Sequence, residues 1–240
     1  NMDCDRLCDD VAFYAPIRKR LLPNALSIAS YQSRMCAGGI NMTVAMRRAR
    51  PYNDYIIVLQ KRAGAVAANP LTLGIIPQGF HQPTNSPAEE VDIGWTAFRE
   101  LHEELYAGVG TLNIDSKTHK YRYIGHSKPM KWLLSNESSY DMLYTLFGIE
   151  LTAGEYSASL LLAIHDSIFW ERFHKDFLMG WENMGQYIFV SSRDRDAISR
   201  LLLRPDWSNG GIASFCRALK FLERNFAASV SLPSIVETFD

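Results

Sequence analysis

One segment of the chain combines a strand-like run, a turn and an amphipathic helix that carries three carboxylates. The apolar run Leu71–Ile76 is typical of a strand, and Pro77–Gly79 after it favours a turn. After a polar loop come Glu100, Glu103 and Glu104, three and four residues apart. A helix has about 3.6 residues per turn, so this spacing places all three carboxylates on one side. The sequence therefore predicts a strand–loop–helix unit with an acidic face.

The opposite side of the same helix is apolar. Phe98, Leu101 and Leu105 share it, with Trp95 and Ala97 at its edges, which predicts a buried stripe. Carboxylates crowded within one turn repel each other, and hard divalent cations prefer such oxygen ligands. A solvated helix face is the alternative interpretation, since glutamate is a good helix former and glutamate pairs are common on surfaces. The strand and turn before the helix favour a cation site.

The acidic helix resembles the Nudix box. That pattern has a glycine, a loop with a glutamate, and then Arg-Glu-apolar-X-Glu-Glu followed by a glycine. The residues that match the helical section of this pattern are Arg99, Glu100, Leu101, Glu103 and Glu104. Gly79 matches the glycine before the loop.

Three features depart from the family pattern. The loop between Gly79 and Arg99 is longer than in the family. Val91, between Glu90 and Asp92, stands where the family has its upstream glutamate. The closing glycine is displaced, because Tyr106 and Ala107 precede Gly108. These departures bear on whether catalysis is retained.

The resemblance implies a fold and an activity. The fold is α+β, a Nudix-like α/β/α sandwich with a central mixed sheet. The activity is that of a Nudix-type diphosphate hydrolase, a pyrophosphohydrolase that cleaves a nucleoside-diphosphate-type X-P-O-P-Y substrate. The cofactor is Mg²⁺ or Mn²⁺, which polarises phosphorus, neutralises developing charge and activates water.

The resemblance also assigns roles to single residues of the helix. Glu100 and Glu104 are metal ligands, and Glu104 is expected to face solvent or the metal. Glu103 is a third ligand or a catalytic, water-orienting group. Arg99 is a catalytic orienting partner, and it can pair with Glu103 four residues later.

Two more residues complete the predicted site. Gly79 lets the main chain approach a ligand closely, and we expect it to contribute to cofactor binding. Nudix enzymes often take a further acidic residue from a late loop, and Glu182 is the candidate catalytic residue there. The alternative for Glu182 is an ordinary exposed loop glutamate.

Other functions stay open beside the hydrolase. One is a catalytically inactive Nudix-fold domain that senses a ligand or binds a protein within a larger regulator. Val91 and the displaced Gly108 favour it, whereas the intact carboxylate cluster favours the enzyme. Another is a biosynthetic role in which the enlarged loop shapes a pocket for an unusual phosphorylated metabolite.

Composition limits the partners. The chain has 240 residues, of which 47% are hydrophobic and 21% charged, and its formal net charge is −1. Near-neutral charge gives no general electrostatic reason to bind nucleic acid or membranes. No apolar run reaches the ~18 to 20 residues of a membrane span. We therefore expect a cytoplasmic protein with reduced thiols that binds a small-molecule diphosphate or nucleotide derivative. Nudix proteins are often dimers, which leaves a homodimer open.

The rest of the chain predicts one globular domain. Residues 1–35 are expected to form an N-terminal extension that packs on the core, and residues 36–240 to form the Nudix-like domain. Predicted strands are 40–50, 55–59, 71–76, 121–126, 142–151 and 187–190. Predicted helices are 155–178, 194–203 and 212–226, in addition to the acidic helix.

Overall fold

The computed structural model describes most of the predicted domain and little of the extension. The described residues are 16, 19–20, 22–30, 38–64, 70–81, 91–107, 127–149, 154–178 and 183–238. Glu182, Glu90, Gly108 and the predicted strand 121–126 lie outside them. The expectation that residues 1–35 pack on the core therefore stays a prediction. Within that region the structure shows a short helix, α1 (Ala25–Ala29), whose Ile28 is buried.

Seven strands form one mixed sheet. They are β1 (Gly38–Arg47), β2 (Tyr55–Arg62), β3 (Leu73–Ile75), β4 (Gln78–Phe80), β5 (Tyr140–Ile149), β6 (Tyr156–Ile164) and β7 (Asn183–Ser191). The main order is β3-β2-β1-β6-β5, with β4 added to β1 and β7 added to β2. Only the β1–β6 pair is parallel among these described pairs. The predicted central mixed sheet is confirmed.

Strands β1 and β2 separate from each other toward the end of the sheet where the acidic helix lies. They pair at Ala45–Arg47 with Tyr55–Ile57. Further along, β1 pairs with β4 instead, and β2 pairs with β3. Since β3 and β4 follow each other directly in the chain, their connection occupies the space between the diverging strands. The amide of Met42 donates to the carbonyl of Pro77 across this connection, at 3.0 Å.

Helices cover both faces of the sheet. They are α2 (Ile93–Leu101), continued by a π-helix (His102–Ala107), then α3 (Lys128–Ser135), α4 (Ser167–Phe173), α5 (Arg195–Leu202) and α6 (Asn209–Phe226). Short 3₁₀ turns are Glu137–Ser139, Ala227–Ser229 and Ser234–Thr238. No helix in the described part of the chain is long and apolar enough to cross a membrane.

Two hydrophobic cores lie on opposite faces of the sheet because strand side chains alternate. One core takes Ile57 and Leu59 from β2 and packs them under α5 and α6. The other takes Val58 from β2 and Leu160 from β6 and packs them under α2, α3 and α4. This arrangement of a sheet between two helical layers is the α/β/α sandwich that the sequence predicted.

One predicted helix is wrong. Residues 156–164 form the strand β6, and only Ser167–Phe173 of the predicted helix 155–178 is helical. Strand β6 lies between β1 and β5, so Leu160, Leu161 and Leu162 are all buried. A strand buried on both faces has a continuous apolar sequence, which periodicity does not distinguish from a buried helix.

The other strong patterns are confirmed with shifted boundaries. The predicted central strand 55–59 is the first half of β2, which is buried almost throughout. The C-terminal helix α6 begins three residues earlier than predicted, at Asn209, because Ser208 caps it through the amide of Gly211. Its Phe215, Leu219 and Leu222 are fully buried on the side that faces the sheet.

An ion-pair cluster joins β2 to the segment between α5 and α6. The carboxylate of Asp206 accepts hydrogen bonds from Arg204 at 2.8 Å on both oxygens and also from Lys61. The hydrogen bond from Arg204 is the main cause that holds the pKa of Asp206 below its ordinary value of 3.8; Lys61 adds to it and partial burial opposes it.

We expect Asp206→Asn to lower the free energy of unfolding by about 1 kcal/mol at pH 7, as for a partly exposed ion pair. The folded-state pKa is lower than the unfolded one, so the contribution is fully present above about pH 4 and is lost gradually as the pH falls from there through the folded-state pKa. Urea unfolding at pH 7 and at pH 3 measures the difference. In a Lys61→Met background, Asp206→Asn should lower the free energy of unfolding by less, because Asp206 has already lost one of its partners. An equal effect at both pH values would contradict this interpretation.

Candidate active site

The acidic helix begins directly after Asp92. The side chain of Asp92 accepts from the amide of Gly94 at 2.8 Å and caps α2. Ala97 and Leu101 are fully buried under the sheet, and Leu105 continues the same stripe. The packed face is thus the predicted one, and it turns the glutamates toward β4 and β2.

The helix does not continue as an α-helix to the end of the box. From His102 to Ala107 it is π-helical, and this segment contains Glu103 and Glu104. A π-helical turn takes in more residues than an α-helical turn, so it rotates later side chains relative to Glu100. Sequence reasoning missed this change. The displaced closing glycine, Gly108, was the available signal, since extra residues must be accommodated before it.

Glu100 packs directly on the turn that the sequence singled out. A β-carbon added to Gly79 would lie 2.0 Å from the Cδ of Glu100, so a larger residue there would force the Glu100 carboxylate to move. Arg99 donates to the Oε1 of Glu100 at 2.6 Å and to the carbonyl of Phe80 at 2.9 Å. Arg99 therefore links the helix to β4 and fixes the Glu100 carboxylate beside Gly79.

Glu104 faces the sheet. Its Oε1 accepts from the main-chain amide of Gln78 at 2.8 Å, and its Oε2 accepts from the side chain of Gln60 at 3.3 Å. The Tyr187 hydroxyl donates to its carbonyl at 3.1 Å. The expectation that Glu104 faces solvent or a metal is therefore incomplete, because protein donors also contact both of its oxygens.

Glu103 and Glu182 are the two other acidic residues of the predicted site. The side chain of Glu103 is half-buried in the π-helix between the buried His102 and Leu105. Glu182 lies outside the described residues. Arg99 forms its ion pair with Glu100, its neighbour in the chain, so the predicted pairing of Arg99 with Glu103 stays a prediction. The roles of Glu103 and Glu182 stay predictions as well.

Two residues of the site were missed by sequence reasoning. Gln60 is fully buried near the end of β2 and contacts Glu104. His81 follows β4, and its Nδ1 lies 2.7 Å from the hydroxyl of the buried Thr96 on α2. An amide at the end of the apolar run Tyr55–Leu59 was the signal for Gln60. For His81 the sequence held no signal, since its partner lies across the loop.

The donor chemistry of the site fits a hard divalent cation. Glu100, Glu103 and Glu104 provide carboxylate oxygens, which Mg²⁺ and Mn²⁺ prefer. In the described part of the chain, however, no group of three or more His, Cys, Asp or Glu side chains is arranged to hold a metal ion. Glu100 is bound by Arg99, and Glu104 by Gln78 and Gln60. A bound cation would compete with these protein donors.

We expect Gly79→Ala to displace the Glu100 carboxylate and break its contact with Arg99, at a cost of about 1 to 2 kcal/mol in unfolding free energy. Gly148→Ala is the matched control in the same sheet, because nothing lies within 4 Å of its added β-carbon. Urea unfolding measures both variants. In a Glu100→Ala background the Gly79→Ala effect should largely disappear. Equal stability of the two glycine variants would refute the close-packing argument.

Comparisons with known proteins give structural likenesses only. No family model matches the chain, and no curated protein matches it. Similar solved structures include a Nudix hydrolase from M. smegmatis, RenU, at 10% identity and a TM-score of 0.38, covering 80% of this chain and 88% of that one.

Two further structures are similar at the same level. A Nudix hydrolase from Alicyclobacillus acidocaldarius has 10% identity and a TM-score of 0.42, covering 83% of this chain and 98% of that one. The protein DR0079 from Deinococcus radiodurans has 11% identity and a TM-score of 0.35, covering 85% and 80%. Two of these three structures are named Nudix hydrolases, and the Nudix box is the pattern that the acidic helix resembles. Likenesses with TM-scores this low carry no weight for the activity.

Proposed function

We propose that the chain is a Nudix-type hydrolase that cleaves a diphosphate linkage, X-P-O-P-Y, in a nucleoside-diphosphate-type substrate with the help of Mg²⁺ or Mn²⁺. One observation carries the proposal. The box residues Arg99, Glu100 and Glu104 all contact strand β4 (Gln78–Phe80). A solvated acidic face would not place its carboxylates against the main chain of a strand, so the alternative of a plain surface helix is disfavoured.

Glu100, Glu103 and Glu104 are the residues that would hold the cation. When bound, the cation supplies charge neutralisation at the phosphoryl oxygens and lowers the pKa of a water molecule. The chain contributes a fixed set of oxygen donors on a helix that is packed against a sheet. Donors held in place in this way need little rearrangement during the reaction.

Arg99 acts as a positioning residue in this proposal. Its guanidinium lies between the carbonyl of Phe80 and the carboxylate of Glu100. The two contacts define the distance between β4 and the helix. Arg99 therefore orients Glu100, which agrees with the orienting role that the resemblance implied.

Gln60 and the amide of Gln78 position Glu104 in the same way. One contact comes from the end of β2 and the other from β4, so Glu104 is held by two strands. The side-chain Oε1 of Gln60 is buried without a hydrogen-bond partner. Rotation of the Gln60 amide would turn this acceptor toward residue 104, with loss of the 3.4 Å hydrogen bond from its Nε2 to the carbonyl of Ile75.

Glu103 is the proposed water-orienting group, and Glu182 the proposed late acidic residue. Glu103 is half-buried, and it lies between Glu100 and Glu104 on the same continuous helix. Asn183, which follows Glu182, begins β7 opposite Arg62 at the end of β2 that also carries Gln60. The chain therefore returns to the site just after Glu182, which supports the choice of this residue.

The other expectations stay predictions. A catalytically inactive sensor or protein-binding domain gains no support from contacts among the described residues. A cytoplasmic location and a homodimer also remain expectations from the sequence. The buried thiol of Cys216, whose pKa is raised to about 11 by burial, is in keeping with a reduced cysteine.

We expect Glu104→Gln to reduce turnover of a diphosphate panel with Mg²⁺ or Mn²⁺ by roughly 100-fold or more, as for loss of a positioned charged group. The fold should survive. Glutamine keeps an acceptor for the Gln78 amide, and rotation of Gln60 offers an acceptor for its amino group. Released phosphate and thermal unfolding are measured on the same preparation.

Glu171→Gln is the matched control, since Glu171 is an exposed carboxylate on α4. It should keep full turnover. Unchanged turnover of Glu104→Gln would contradict the proposed role of Glu104, and absence of turnover for the unmodified chain on every diphosphate would contradict the hydrolase itself. Loss of the fold in Glu104→Gln would show that the glutamate is structural.

A further inference from the structure

Arg62 is a buried cation that the site described so far does not use. It is the last residue of β2 and is only 7% exposed. Its Nη1 donates to the side-chain oxygen of Gln78 at 3.0 Å, and its Nε is buried without a hydrogen-bond partner. None of the ion pairs among the described residues includes Arg62. The contact of its guanidinium is therefore with a neutral amide.

This situation is costly for an arginine. A guanidinium carries five N–H donors and stays charged at every relevant pH. Buried charges in proteins are normally paired, because removal from water costs several kcal/mol per ion. The neighbouring cation Lys61 follows that rule, since it pairs with Asp206. Among the described residues, Arg62 thus differs from its neighbour Lys61 in having no carboxylate partner.

The position of Arg62 connects it to the carboxylates of the site. Gln78 accepts from Arg62 through its side chain and donates to Glu104 through its main-chain amide. Gln60, two residues before Arg62, contacts the same Glu104. Gln78 thus connects Arg62 to Glu104. The side chains of Arg62 and Lys61 lie on opposite sides of β2.

We propose that Arg62 binds an anionic phosphate oxygen of the substrate. The identification of that anion as a diphosphate rests on the proposed hydrolase function, whereas the need of Arg62 for an anion does not. A planar guanidinium matches two phosphate oxygens with parallel hydrogen bonds. Gln78 holds the guanidinium through Nη1, and the Nε donor has no hydrogen-bond partner.

Arg62 also changes the electrostatic balance of the site in favour of an anionic ligand. Glu100, Glu103 and Glu104 repel a polyanionic substrate as long as their charges are not balanced. Arg99 is already bound to Glu100. Arg62 supplies a second fixed positive charge next to Glu104, and it carries no carboxylate of its own among the described ion pairs. It therefore offsets this repulsion for the phosphate that it binds.

Binding of inorganic pyrophosphate tests the inference without turnover. The full chain is titrated by calorimetry in buffer with EDTA, and its thermal unfolding is followed with and without pyrophosphate. We expect Arg62→Met to weaken pyrophosphate binding about 10- to 100-fold, the loss of a hydrogen bond to a charged group. Arg62→Lys keeps the charge but loses the planar guanidinium. Its affinity for pyrophosphate should lie between those of the unmodified chain and of Arg62→Met.

Lys61→Met is the matched control from the adjacent position of the same strand. It should lose some stability and keep the affinity of the unmodified chain for pyrophosphate. Without ligand, Arg62→Met should be at least as stable as the unmodified chain, because an unpaired buried charge has been removed. If Arg62→Met does not fold, the comparison of Arg62→Lys with Lys61→Met gives the same readout.

Several results would overturn the inference. They are an unmodified chain that binds no pyrophosphate, an Arg62→Met variant that binds it equally well, and a Lys61→Met variant that loses as much affinity as the Arg62 variants. A failure of the proposed hydrolase function can be distinguished from a failure of the Arg62 site. Turnover that survives in Glu104→Gln would remove the role of Glu104 and leave the Arg62 site, whereas full pyrophosphate affinity in Arg62→Met would remove the Arg62 site and leave the hydrolase.

Discussion

The docking of the acidic helix on strand β4 (Gln78–Phe80) is the interaction on which the site depends. Its contacts include two hydrogen bonds: the Gln78 amide donates to Glu104, and Arg99 donates to the Phe80 carbonyl. Both use main-chain atoms of β4, which are fixed in turn by pairing with β1. A charged side chain bound to a main-chain group is a strong and directional contact. The sheet therefore sets where the carboxylates lie, and the apolar stripe of the helix supplies most of the packing energy.

The carboxylates of the site have different kinds of partner. Arg99 neutralises Glu100, and the dipoles of Gln60 and Gln78 stabilise Glu104. Such contacts stabilise these carboxylates, and they also raise the cost of giving the same oxygens to a cation. Arg62 has no carboxylate among the described ion pairs, since its contact is a neutral amide. A site that must take up both a cation and a polyanion benefits from holding an unneutralised positive charge ready for the second ligand.

Sequence reasoning succeeded where one pattern had one structural meaning. The stripe of α6 and the apolar start of β2 predicted their elements directly. It failed for β6, because an apolar run buried on both faces is not periodic. The sequence also showed which side chains form the site, but it did not show which residues they contact. The contact of Gln60 with Glu104 joins residues far apart in the chain, and only the divergence of β1 and β2 brings them together.

Anomalous scattering from Mn²⁺ is the most direct measurement of the central claim. Crystals of the chain would be grown with Mn²⁺ and a methylene-bridged diphosphate analogue that is not hydrolysed. We expect an anomalous peak coordinated by oxygens of Glu100, Glu103 or Glu104 next to strand β4 (Gln78–Phe80). No peak there, with Glu100 still bound to Arg99 and Glu104 still bound to the Gln78 amide, would contradict the proposed metal site.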